Sequence, residues 1–147
     1  MREKATHLIW IVLVVVVLLP LIFPLRLPLG PSPEGEAAYA FIDEMPEGSV
    51  TIMVLEIAPS NEGELWPMAQ AIARHHFTKG HRVILTTFVP DGVMYAAKIR
   101  TMAETEYGKT YGSDLIILPY RAGGEMALVA MADDIQKAYT EDQYKAP

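Results

Sequence analysis

The sequence predicts an α/β protein. Its short parallel sheet is expected in three layers, wound βαβαβα in a Rossmann-like or flavodoxin-like way and preceded by one transmembrane helix. Three observations predict this. A charge-free apolar run extends from Leu8 to Leu25. Three later segments, "SVTIMVLEI", "RVILTTFV" and "DLIILPY", are short and nearly continuously apolar, as strands are when both sheet faces are covered. Between and after them lie stretches whose apolar residues recur at helical spacing, the pattern of βαβ units joined by right-handed crossovers.

The apolar run comes first. At ~1.5 Å per residue it spans about 27 Å, close to the thickness of a hydrocarbon core. Trp10 suits an interface, and Pro20 and Pro24 stand near one end, where a membrane helix tolerates them. A cleaved signal peptide needs a small-residue site soon after its core; "AYA" at 38–40 lies too far beyond. The expectation is an uncleaved, single-pass anchor over residues 1–29 that contacts the lipid bilayer through Leu8–Leu25. Arg2 and Lys4 precede the run while Arg26 alone follows it, which favours a cytoplasmic N-terminus and an extracytoplasmic domain. Residues 30–36, rich in Pro and Gly, are expected to form an extended linker.

Residues 37–147 are expected to form the α/β domain. Ala37–Met45 predicts a short helix stopped by Pro46. "SVTIMVLEI" is the first strand. Leu65–Thr78 predicts a helix opened by Asn61 and Glu64 in a capping-box spacing, with Leu65, Met68, Ala69, Ile72 and His76 as its buried stripe and Gly80 as its C-terminal stop. "RVILTTFV" is the second strand. Val93–Tyr107 predicts a helix with Ala96, Ile99, Met102, Ala103 and Tyr107 inward. "DLIILPY" is the third strand. Glu125–Tyr139 predicts a last helix with Leu128, Met131, Ala132, Ile135 and Tyr139 on one face, and a polar tail follows. Three strands leave an exposed sheet edge, so a protein partner or a homo-oligomer is expected there, or the chain is a fragment ending at "YKAP".

Charge and composition exclude several functions. The chain carries 12 Lys and Arg against 18 Asp and Glu, a net charge of -6. Three of the bases (Arg2, Lys4, Arg26) and one acid (Glu3) precede Gly30, leaving 9 bases and 17 acids in the remainder. Such a domain repels phosphate backbones, so no nucleic acid partner is expected. With 0 cysteines there is neither a disulfide nor a thiolate site. His75, His76 and His81 lack the spacing that aims ligands at one point, so no metal is expected. No cofactor fingerprint and no G-x-S-x-G elbow is present.

Ligands of parallel α/β sheets bind at the carboxyl ends of the strands. That rim gathers Ser60, Asn61, Glu62, Glu64, Asp91, Tyr120, Arg121 and Glu125. In "YRAGGE", Gly123 and Gly124 could turn backbone N–H groups toward an anion, with Arg121 forking onto it. The alternative is an ordinary strand-to-helix turn with Arg121 paired to Glu125 or Glu62. Ser60 and Asn61 would line the same rim. Glu62 and Asp91 are candidate acid–base groups, against the alternatives of a helix-start acid and a turn acid.

The stretches "P-S-x-x-x-E-L-x-P-M" from Pro59 to Met68, "Y-G-x-x-Y-G-x-D" from Tyr107 to Asp114 and "Y-x-x-G-x-E" from Tyr120 to Glu125 resemble a family of uncharacterised bacterial and archaeal membrane proteins. The resemblance implies an N-terminal anchor and an α/β domain, and no established activity. Members often carry acids where this chain has Glu56 and Ala58. The sequence thus leads to a membrane-anchored ligand- or partner-binding module. The alternatives are an enzyme acting on an anionic small molecule and a structural subunit of a membrane complex.

Overall fold

The structure, a computed structural model, describes residues 2–23 and 30–146. The chain falls into two compact units, Met1–Glu36 and Ala37–Pro147. In the first, helix α1 (Arg2–Ile22) contains an 18-residue stretch, Ala5–Ile22, none of which is buried. By length and composition it is apolar enough to cross a bilayer, a property a signal sequence shares. Pro24, Leu25 and Arg26 lie outside the described residues, so the far end of the expected span does too.

Helix α2 (Pro33–Glu44) starts earlier than expected, within the stretch read as an extended linker. Pro33 takes the first helical position, where its missing N–H costs nothing. Ser32 Oγ accepts the Gly35 amide at 3.1 Å, and Glu34 and Glu36 favour the positive end of the helix. A Ser-Pro-Glu start signal was thus hidden in a Pro/Gly-rich stretch.

Strands β1 (Val50–Val54), β2 (Arg82–Thr86) and β3 (Leu115–Ile117) form one parallel sheet in the order β1-β2-β3. Val50 pairs with Arg82, and Val83 with Leu115. Helix α3 (Glu62–Thr78) joins β1 to β2, and α4 (Gly92–Tyr107) joins β2 to β3. Successive right-handed crossovers stepping one way place both helices on one face. Accordingly α3 and α4 pack on each other and on β2. Met53, Leu55, Val83, Leu85, Leu115 and Ile117 join Ala69, Ala73 and Phe77 of α3 and Tyr95, Ile99 and Ala103 of α4 in one core.

The expected three layers therefore reduce to two over β1. On its other face, Val50, Ile52 and Val54 remain 53%, 44% and 38% exposed, and no strand pairs with its outer edge among the described residues. The β3 edge differs. Gly112 N–H donates to Leu115 O at 2.9 Å, Ile117 N–H to the Tyr111 hydroxyl at 3.2 Å, and Gln143 N–H to Ile117 O at 2.8 Å. The chain itself occupies the groups that another strand would need.

The α3 stripe is also rephased. Ala69, Ala73, His76 and Phe77 are buried, whereas Met68 and Ile72 face outward. Small alanines let the helix approach the sheet closely, and this outweighs the greater apolarity of Met and Ile. Gly80, at φ 74°, ends α3: its N–H reaches Phe77 O and that of His81 reaches His76 O, the double bond pattern of a Schellman stop. The last helix is split into α5 (Glu125–Asp133) and α6 (Ile135–Ala138). Asp134 is extended, and its carboxylate accepts from Gln136 N and Lys137 N at 3.0 and 3.1 Å, restarting the helix. Ala127 and Met131 are buried, while Leu128 is exposed.

Candidate functional site

The carboxyl ends of β1, β2 and β3 feed residues 55–61, 87–91 and 118–124. Leu55 N–H donates to Thr86 O and Leu118 N–H to Leu85 O, both at 2.8 Å, so the three loops leave the sheet in register. Glu56 joins the first two: its Oε1 accepts Phe88 N–H at 2.8 Å. The sequence reading placed Glu56 inside a strand and missed this role. Asn61 does not cap α3 with its side chain. Its Oδ1 accepts Ala58 N–H at 2.8 Å and its Nδ2 donates to Glu56 O at 3.2 Å, which folds the first loop onto itself. Ser60 is exposed on that loop.

The second loop is tighter. Thr87 is fully buried, and its Oγ1 both donates to Val89 O at 2.9 Å and accepts Val89 N–H at 3.1 Å. Gly92 opens α4 against this turn. A Cβ there would meet Thr87 Oγ1 at 2.0 Å and Leu55 O at 2.5 Å, so only glycine lets α4 approach both strand ends. Asp91 is exposed and makes no side-chain cap.

Glu62 and Asp91 act on one group. Tyr95 is buried, and its hydroxyl is raised above the ordinary tyrosine range by burial first, then by the Glu62 carboxylate and by Asp91. Glu62 also lies 3.9 Å from Lys98 Nζ, which sits 4.7 Å from the Tyr95 ring centre and 5.5 Å from that of Trp66. Arg121 is engaged elsewhere. Its guanidinium donates to Ala138 O and stacks over Tyr139, 5.6 Å from the ring centre. No ion pair links Arg121 to Glu62, Asp91 or Glu125 among the described residues. Gly123 (φ 132°) and Gly124 (φ 47°) supply the turn into α5, with Met126 N–H on Gly123 O and Leu128 N–H on Gly124 O.

Arg121 borders a shallow cavity of about 260 Å³ lined by Pro119, Tyr120, Tyr139, Thr140 and Glu141. A second, of about 380 Å³, lies between Tyr111, Ile116, Leu118 and residues 139–142. Both use the tail that the sequence left as merely polar. Asp142 organises this tail. Burial opposes its charge, but the Tyr111 hydroxyl at 2.6 Å and the amides of Ala146 and Tyr144 at 2.8 Å outweigh that and hold the carboxylate below its usual range. Tyr111 in turn is pushed up to about 12, by burial and then by Asp142. The Tyr111 and Tyr144 rings meet edge to face at 5.2 Å, and Arg100 lies against both, 4.3 and 4.8 Å from their centres.

No cluster of His, Asp and Glu that could hold a metal occurs among the described residues. His76 and His81 are both buried and meet each other, Nδ1 to Nδ1, at 3.0 Å. No protein-family model, curated protein or solved structure matches the chain.

Proposed function

We propose that this chain is a membrane-anchored α/β module that binds a protein partner and performs no chemistry itself. One observation carries the reading: β1 presents Val50, Ile52 and Val54 outward beside an unpaired edge, an apolar strip of the kind that a second chain covers. The exposed apolar surface of α1 supports the anchor. The bases at Arg2 and Lys4 support an extracytoplasmic position for the α/β unit. The resemblance to anchored α/β proteins points the same way.

Photo-crosslinking in native membranes tests the partner. A photoreactive residue at Ile52 is expected to give a discrete adduct, and one at exposed Glu104 none. Equal yields at both positions would remove the reading. Ile52→Arg is expected to lower adduct yield from a probe at Val54 at least tenfold, while leaving stability within about 0.5 kcal/mol because the side chain is already exposed. For the anchor, the full chain should resist alkaline extraction and retain its N-terminal mass.

A second reading, Rossmann-like ligand binding with turnover of an anionic small molecule, draws on the shared action of Glu62 and Asp91 on Tyr95 and on the cavity beside Arg121. Citrate or phosphate would then raise the melting temperature of the wild type and not of Arg121→Ala. Equal shifts would count against it.

A further inference from the structure

We propose that the His76–His81 pair is a proton-operated latch, which holds the turn at residues 45–49 to the corner between α3 and β2 and lets go on acidification. The geometry fixes the tautomers. His81 Nε2 lies 3.2 Å from Met45 O, which can only accept, so this nitrogen carries the proton. Neutral His81 then has a bare Nδ1, which must accept from Nδ1–H of His76 at 3.0 Å. A single chain of hydrogen bonds thus runs from α3 through two buried rings to the backbone that enters β1. Gly48 N–H on Gly80 O (3.1 Å), Arg82 N–H on Ser49 O (2.9 Å) and Arg82 Nε on Gly48 O (3.2 Å) complete the corner.

A first added proton puts an uncompensated cation into this buried pair. A second would set two N–H groups face to face across 3.0 Å. No carboxylate touches either ring among the described residues. The charged groups on the surrounding elements are otherwise committed. Asp43 of α2 lies 3.1 Å from Lys79 and 3.3 Å from His75. Glu47 lies over Gly80, and Arg82 serves Gly48. His75 adds positive charge when protonated, and its ring is stacked on Tyr39 at 4.3 Å. Its pair with half-exposed Asp43 is of a kind that contributes little.

Burial first, then His81 and His75, lower His76 from 6.5 to about 4. A histidine depressed in the closed form stabilises that form fully above 6.5, and loses this contribution as pH falls from 6.5 toward 4. At pH 5 the closed corner is disfavoured about thirtyfold relative to neutral pH.

The test uses the full chain in lipid nanodiscs. Amide exchange, corrected for its intrinsic pH dependence, should show about thirtyfold less protection of Gly48 and Arg82 at pH 5 than at pH 7.5. The His76 ring should remain neutral at pH 5.5 by NMR. His76→Asn keeps a donor beside His81 and removes the titration, so its protection should change less than threefold over the same interval. His76→Gln, should the first variant fold poorly, also removes the titrating ring and is expected to show the same flat response. Unchanged wild-type protection at pH 5, a His76 ring charged at pH 5.5, or an equal acid response in the variants would overturn the proposal.

Discussion

Gly92 is where the packing at the strand ends can be tested most sharply. In Gly92→Ala the new methyl would lie 2.0 Å from Thr87 Oγ1, 2.6 Å from Thr87 Cβ and 2.5 Å from Leu55 O. Real contacts of this kind do not fall below 3.0 Å. Swinging the Thr87 hydroxyl away breaks both of its bonds to Val89, a loss of about 1 kcal/mol, and does nothing for the Leu55 carbonyl, which is backbone. The start of α4 must therefore move by about 1 Å, an overpacking strain of about 1–3 kcal/mol. The sum is about 3 kcal/mol, or a fall in melting temperature of about 10–20 °C for a unit of this size. Near-ultraviolet circular dichroism of the full chain in detergent micelles, reporting the packed Trp66 and Tyr95 rings, measures it. Gly63→Ala is the control: it sits inside α3 with nothing within 4 Å of its added Cβ, and should stabilise by about 0.5 kcal/mol. If Gly92→Ala melts within about 2 °C of wild type, or if both substitutions lower the melting point alike, the close approach of α4 is not what the geometry says.

Two further substitutions probe single groups. Thr51 Oγ1 is buried without a hydrogen-bond partner, so Thr51→Val should raise stability by about 1 kcal/mol in urea unfolding; a loss of that size would mean the hydroxyl is satisfied. Tyr111→Phe removes the bonds to Asp142 and to Ile117 N–H; unfolding should become easier by about 1–2 kcal/mol and residues 139–146 should be cleaved faster by a nonspecific protease.

Local order was legible in the sequence because its signals are local. Three apolar runs and the stop at Gly80 (φ 74°) each need only a few neighbouring residues to be read. What failed depends on distant partners. Strand order leaves no trace in a run of Val and Ile, so the uncovered outer face of β1 could not be read from it. Ala69 and Ala73 look less buried than Met68 and Ile72 until the nearness of the sheet is known. Asp142 became informative only through Tyr111, 31 positions away. At the rim the residue types were visible, but their directions were not: Arg121 turns to Ala138 and Tyr139, and Glu62 lies by Lys98 over the Tyr95 ring. The histidines show a similar limit. Their spacing argued against a metal, and nothing in it disclosed that His76 and His81 would meet.

The closed margin along β3 has a consequence for self-association. With Leu115 O, Ile117 N–H and Ile117 O all answered from within the chain, that side offers another strand few of the groups it would need among the described residues. Two copies joined through their free margins would bury both of them and leave none open, so pairing through the sheet ends at two. Pairing of that kind would close the border without endless fibrous growth.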